Sequence, residues 1–178
     1  MTRFVRAIDS LTRYCGFFAA FLVITLIVLM LYEVGMRYLF NAPTLWGYDI
    51  NTWLMGAAFI LSIGYALSSD SHVRVDLLYT RQTKHYLRYV DLIGFVLLLL
   101  PTSAIITWGL WHYFAEAYKT GEKSGTSAWN PVLWPFRLIL FVGFLAFTIQ
   151  IFAEIIKRIY SIKGTPIVGD TNSDHGTV

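Results

Sequence analysis

The four histidines of this sequence could act as metal or haem ligands. A haem-carrying helical bundle needs histidines that face each other across the bundle, where they supply the axial ligands of the iron. Here His72 and His85 lie in one polar stretch and His175 lies near the end of the chain, so only His112 falls within a long apolar segment. The single cysteine, Cys15, leaves no partner for a disulfide or a paired-cysteine metal site. The sequence therefore predicts no cofactor and no metal site.

Carboxylates inside a membrane span are a second possible source of chemistry, because they often mark a proton or cation path. Glu33, Asp49, Glu116 and Glu154 all lie at the ends of apolar segments, and the middle of each segment lacks an ionisable residue. This pattern argues against a chain that transports solute by itself. The sequence also lacks an HExxH motif, a glycine-rich phosphate loop and a serine nucleophile elbow. We therefore predict no catalytic residue.

The apolar segments that carry these residues indicate a membrane protein. Hydrophobic residues make up 56% of the chain and charged residues 14%, whereas soluble domains contain about 25% charged residues. A helix needs about 20 mostly apolar residues to cross a bilayer. We therefore predict an all-α integral membrane protein with four tilted transmembrane helices in a single domain, residues 1–160. The predicted spans are about 14–38, 46–69, 84–118 and 131–160.

Local signals predict the details of the third and fourth spans. Asn130 can cap exposed N–H groups and Pro131 suits a first helical turn, so the fourth span is expected to begin there. Arg137, inside that span, should extend to the membrane surface or pair with another residue. Pro101 removes a backbone hydrogen bond and is expected to bend the third span.

The distribution of basic residues predicts the orientation. Lys and Arg number three before span 1, four between spans 2 and 3 and three after span 4, against one and three in the other two connections. The positive-inside rule then places both termini, and the short basic connection 70–91, in the cytoplasm. Residues 161–178 are rich in small polar residues, and we expect a disordered cytoplasmic tail. All six tryptophans would lie near the outer surface, as an aromatic belt or a surface for a partner.

Three segments of the chain resemble the small membrane subunit of tripartite ATP-independent periplasmic (TRAP) transporters, the DctQ-like family. The first is EVGMRYLFNAPTLWGYDI, which starts at Glu33 and in which the family more often has Glu in place of Asp49. The second is GAAFILSIGYALSSDSHVRVDLL, in which a small-residue helix ends in a polar break. The third is GEKSGTSAWNPVLWPFRLILFVGFLAFTIQ, similar to the outer loop and last helix of one branch of the family.

The resemblance implies a non-catalytic subunit of the bacterial inner membrane. It would scaffold a large multi-span permease, which carries the substrate and sodium sites, and would help to dock a periplasmic substrate-binding protein. Uptake would be ion-coupled, with organic acids or similar compounds as solutes, and no nucleic acid would be involved. The motif positions are candidates for contact with these partners or with membrane lipids: Glu33, Arg37, Trp46, Asp49, His72, Arg74, Asp76, Lys123, Trp129, Asn130 and Trp134.

Elementary interactions provide a second interpretation of the same motifs. Glu33 and Arg37 are four residues apart, in the favourable order for an ion pair on one helix face. Arg74 would hold a lipid phosphate or cap the end of span 2, and Asp76 would fix the turn by pairing with a nearby arginine. A direct contact between this segment and a partner is the alternative.

Two other functions remain open from the residues alone. Four helices with scattered histidines also fit a membrane anchor or cytochrome-like subunit of a redox enzyme. An independent small exporter is the other candidate. A Soret band in the purified protein would indicate the first, and transport by the chain alone in liposomes would indicate the second.

Overall fold

The computed structural model describes residues 2–68 and 92–162 of the chain. They form four helices: α1 (Thr2–Tyr38), α2 (Gly47–Ser68), α3 (Leu92–Thr120) and α4 (Trp134–Ile162). Each helix contains a stretch long and apolar enough to cross a membrane, which confirms the predicted all-α fold with four spanning helices. The whole of the basic connection 70–91, and all but the first two residues of the predicted tail, lie outside the described residues.

Helix α1 begins well before the predicted first span and is 37 residues long. Its early turns carry Val5, Ile8 and Thr12, which are all buried. Their spacing of three and four residues places them on one helix face. Packing of this face against the rest of the bundle explains why the helix continues through a polar, arginine-containing segment.

A π-helical turn, Phe95–Leu99, interrupts α3 immediately before Pro101. The N–H of Leu100 donates to the carbonyl of Phe95, five residues earlier. Proline has no N–H, and its ring crowds the carbonyl four residues before it. A wider turn accommodates this crowding. The structure thus shows a π turn at the point where the sequence predicts a bend.

Helix α4 begins at Trp134, so the predicted capping role of Asn130 and Pro131 is wrong. Asn130 has a left-handed backbone (φ 47°), and its side-chain oxygen accepts the N–H of Gly125 at 2.8 Å. The carbonyl of Pro131 accepts the N–H of Ser124 at 2.9 Å. Both residues therefore close the loop between α3 and α4, and tertiary hydrogen bonds outweigh the local capping signal.

Helix α2 packs against α1 and α4, α4 also packs against α3, and α1 contacts α4 at one end. Small residues allow these close contacts. A Cβ atom added at Gly16 of α1 would lie 2.6 Å from Cγ of Tyr65 in α2, and one added at Gly143 of α4 would lie 1.9 Å from Cγ2 of Ile60. Close approach of this kind is a main source of helix association in lipid, where apolar burial gives little driving force.

A buried hydroxyl pair joins α3 to α4. The side-chain oxygens of Thr107 and Thr148 lie 2.9 Å apart, and each is also hydrogen bonded to a backbone carbonyl of its own helix. Trp108 is adjacent to this pair and lies ten residues from Tyr118, which is about 15 Å along the helix. The expectation that all six tryptophans lie near the outer surface stays a prediction, and this distance shows only that Trp108 lies well away from the loop end of α3.

A polar cluster joins α1 to α4 at the terminal end of the bundle, where α1 begins and α4 ends. Gln150 is fully buried, and its amide donates to Asp9 at 2.9 Å and to Glu154 at 3.2 Å. Its carbonyl oxygen lies 2.7 Å from the hydroxyl of Thr12. Lys157 bridges the same two carboxylates at 2.8 and 2.7 Å. The buried polar atoms of this cluster therefore satisfy one another.

Candidate functional site

The candidate site lies at the opposite, loop end of the bundle, which comprises the α1–α2 turn (39–46), the α3–α4 loop (121–133) and the adjoining helix ends. Arg37 Nη2 donates to Glu33 Oε1 at 3.0 Å, which confirms the predicted ion pair. Glu33 also accepts the backbone N–H of Thr44 at 3.3 Å and the hydroxyl of Thr44. The Arg37 side chain is 57% exposed and that of Glu33 only 13%. Glu33 thus holds the α1–α2 turn, while the arginine reaches the surface.

Trp46 packs at the end of the α1–α2 turn. Its ring stacks on that of Tyr32, with centroids 6.2 Å apart and planes inclined by 15°. The turn between them contains Asn41 in a left-handed conformation (φ 52°), which asparagine tolerates better than most residues. Trp46 therefore packs within the chain, and only part of its surface is accessible.

Asp49 links α2 to the α3–α4 loop. Its Oδ1 accepts the hydroxyls of Ser124 at 2.8 Å and Thr126 at 2.9 Å, and its Oδ2 accepts the hydroxyl of Ser127. The residue is only 2% exposed. This burial leaves Asp49 no surface for direct contact with a partner, and its side chain instead fixes the position of the loop.

The three hydroxyl residues of this loop were missed by sequence reasoning. Ser124, Thr126 and Ser127 lie more than 70 positions from Asp49 in the chain. Two features of the sequence could have indicated this contact. Three hydroxyl residues are clustered in the α3–α4 loop, and Asp49 at the start of a span has no other evident partner. Such hydrogen bonds to a charged acceptor are stronger than those between neutral groups.

Further hydrogen bonds close the loop around its exposed tip. Asn130 accepts from Gly125, and its own N–H donates to the Ser127 hydroxyl at 3.3 Å. Lys123 forms an antiparallel bridge with Val132. The side chains of Lys123, Trp129 and Asn130 are exposed. The loop therefore presents a cation, an indole and an amide from an ordered backbone.

Arg137 and Trp134 attach α4 to the end of α3. Arg137 Nη2 donates to Glu122 Oε1 at 2.7 Å, and Nη1 donates to the carbonyl of Tyr113 at 3.2 Å. The guanidinium also lies 3.4 Å from the centre of the Tyr113 ring. These contacts confirm the predicted pairing of Arg137 and leave it 3% exposed. Trp134 packs edge-on against Tyr118, with centroids 5.8 Å apart.

The structure thus brings most of the predicted site residues to one end of the bundle. His72, Arg74 and Asp76 lie outside the described residues. Within the described ranges, no group of three or more His, Cys, Asp or Glu side chains could hold a metal ion. The predicted residues at the loop end are Glu33, Arg37, Trp46, Asp49, Lys123, Trp129, Asn130 and Trp134.

Comparisons with known proteins identify the family. The sequence profile described as "Tripartite ATP-independent periplasmic transporters, DctQ component" matches residues 26–160. No curated protein and no solved structure matches the chain. The matched range includes the α1–α2 turn and the α3–α4 loop, and it covers well over half of the 178 residues. The family is a transporter component of the inner membrane that works with a large permease and a substrate-binding protein, and it is not an enzyme family. This chain belongs to the DctQ family of TRAP transporter components.

Proposed function

We propose that this chain scaffolds the large permease of a TRAP transporter and that its loop end helps to dock the substrate-binding protein. The orientation follows from the positive-inside rule, with both termini in the cytoplasm and the loop end in the periplasm. Transport would be ion-coupled uptake of organic acids or similar solutes, with the sodium and substrate sites on the permease. The observation that carries the proposal is the family match over residues 26–160.

The scaffolding role is supported by polar links between helices. Arg137 and Glu122 join α4 to the end of α3, and Asp49 joins α2 to the loop between them. The hydroxyls of Thr107 and Thr148 join α3 to α4 deeper in the bundle. A bundle connected at several depths suits a stationary support better than a moving part.

The docking role is supported by the arrangement of charges at the loop end. The cationic side chains of Arg37, Lys119 and Lys123 are exposed, whereas Asp49 is buried and Glu33 is mostly covered. Positive groups therefore protrude beside two recessed carboxylates, while the exposed Glu122 is paired with Arg137 and Glu116 lies one turn further into α3. Such a surface complements acidic side chains on a soluble partner, which would increase the association rate and fix the orientation of docking.

Hydrogen bonds within the chain also hold the α3–α4 loop in the absence of a partner. Its hydrogen bonds to Asp49 and between its own residues fix the backbone that carries Lys123 and Trp129. A preorganised surface loses less conformational entropy on binding. Trp129, which is 46% exposed, has the size and rigidity typical of an interface anchor.

Uptake into proteoliposomes that contain the chain, the permease and the binding protein tests the docking role. We expect Lys123→Glu to slow uptake more than Lys123→Gln, because reversal repels an acidic partner while neutralisation only removes the attraction. Higher salt should reduce the difference between the two variants, since it screens exposed charges. Equal uptake and equal binding of the soluble protein by both variants and the wild type would contradict the docking role. Failure of the wild-type chain to co-purify with the permease would contradict the scaffolding role.

A further inference from the structure

The outward face of α3 carries polar and small residues among its large apolar ones. Its members recur at intervals of three and four residues, so they form one stripe along the helix. Every one of them is exposed, and they lie opposite the buried Ser103 and Thr107, which face α4. The stripe consists of Thr102, Ile105, Gly109, His112 and Glu116.

The stripe extends into the hydrocarbon region. Tyr118 packs against Trp134, and this aromatic pair marks the headgroup level of the loop end. His112 is six residues before Tyr118, which places it about 9 Å deeper at a rise of about 1.5 Å per residue. The hydrocarbon core is about 30 Å thick. His112 and the neighbouring Trp108, which is 69% exposed, therefore lie below the headgroups.

Hydrocarbon cannot satisfy the imidazole of His112, whereas Glu116, two residues before Tyr118, lies close to the headgroups. Among the described residues, His112 contacts the ring of Trp108, with centroids 5.0 Å apart. Within the same ranges, neither the imidazole of His112 nor the carboxylate of Glu116 has a hydrogen-bond partner. Polar side chains in hydrocarbon are costly unless a protein group pairs with them. A protein surface with complementary polar groups would remove this cost.

The outward face of α1 provides the contrast. Phe17, Phe21, Ile24, Val28 and Leu31 form its exposed stripe at the same helical spacing. Thr25 lies beside this stripe, and its hydroxyl donates to the carbonyl of Phe21. The residues of this α1 stripe are all apolar, so they need no polar partner and lipid alone can cover them.

Gly109 gives the α3 stripe an open groove at its centre. A Cβ atom built there would meet nothing within 4 Å. The glycine thus has no packing role in the lone chain, although glycine lowers the stability of a helix by about 1 kcal/mol relative to alanine. Small residues on an outward face allow another transmembrane helix to approach closely.

We propose that a transmembrane helix of the large permease packs along this α3 stripe, with Gly109 at the closest approach and polar groups opposite His112 and Glu116. The α1 stripe then faces lipid. This inference rests on the proposed function for the identity of the partner, but it makes a separate claim about which face is covered.

Photo-crosslinking in the intact complex tests that claim. Benzoylphenylalanine is placed at Ile105, which is 72% exposed on the α3 stripe, or at Ile24, which is 62% exposed on the α1 stripe. We expect an adduct with the permease from position 105 and none from position 24. An adduct only from position 24, an adduct between two copies of this chain, or no protein adduct from position 105 would overturn the inference. Co-purification of the wild-type chain with the permease, measured first, keeps this outcome separate from failure of the proposed function.

A pair of glycine variants provides an independent test. Gly109→Leu fills the groove on α3, and Gly35→Leu adds the same side chain at an open position of α1, one turn beyond Leu31 of the α1 stripe. We expect Gly109→Leu to reduce the affinity for the permease on the order of tenfold, because overpacking forces the helices apart. Gly35→Leu should leave that affinity unchanged. Equal affinities for the two variants would overturn the inference, and unchanged thermal unfolding of each lone chain verifies that the fold is intact.

Discussion

Replacement of Asp49 by alanine should release the α3–α4 loop from α2. The change removes the acceptor of three hydroxyl hydrogen bonds, from Ser124, Thr126 and Ser127. A hydrogen bond to a charged group contributes about 1.5–3 kcal/mol, but hydroxyls released near the membrane surface can bond to water instead. We therefore expect the free energy of loop opening to fall by about 2–3 kcal/mol, well below the sum of the three bonds.

Hydrogen–deuterium exchange of the peptide that covers residues 121–133 measures this opening in the reconstituted complex. A loss of about 2–3 kcal/mol corresponds to exchange that is about 30- to 150-fold faster. The N–H groups of Gly125 and Leu133 are informative, because each is hydrogen bonded within the loop. Peptides from the middle of α4 serve as an internal reference and should not change.

Two further variants sharpen the test. Asp49→Glu keeps the carboxylate, so it should retain most of the protection. Thr52→Val removes an exposed hydroxyl of α2 that donates to the carbonyl of Tyr48 in its own helix, and it should leave loop exchange unchanged. Unaltered exchange of the loop in Asp49→Ala would refute the conclusion that Asp49 holds the loop.

Two further predictions concern the packing of the helices. Gly16→Leu should lower the thermal unfolding temperature of the chain clearly, because even a Cβ at this position would lie 2.6 Å from the ring of Tyr65; an unchanged temperature would contradict the close α1–α2 contact. Thr148→Val should lower the free energy of unfolding by only about 0.5–1.5 kcal/mol in a denaturant titration, because Thr107 keeps its bond to the carbonyl of Ser103 and interhelical hydrogen bonds in membranes are weak on average. A loss above about 3 kcal/mol would contradict this view of the pair.

The sequence predicted the elements that depend on local composition. Four apolar segments become four helices because each is long enough to cross a bilayer. The Glu33–Arg37 pair was predictable for a similar reason, since its spacing of four residues on a helix determines the geometry. Both features depend on residues that are close together in the sequence.

Features that depend on distant residues could not be predicted in this way. The capping signal of Asn130 and Pro131 failed because hydrogen bonds to Gly125 and Ser124 hold these residues in the loop. The early start of α1 depends on α4, since Gln150 contacts both Asp9 and Thr12. A pattern within one segment does not reveal which distant segment will face it.

The polar contacts between the described helices change in kind along the bundle. Charged pairs lie near the two ends, where Arg137 meets Glu122 and Lys157 meets Asp9. Between these levels, the α3–α4 link consists of two neutral hydroxyls, Thr107 and Thr148. Neutral groups avoid most of the cost of burying charge in hydrocarbon, yet they still fix the register of the two helices. An ion that crossed the bundle at this link would need charged or strongly polar groups there, which agrees with the proposal that ion coupling belongs to the permease.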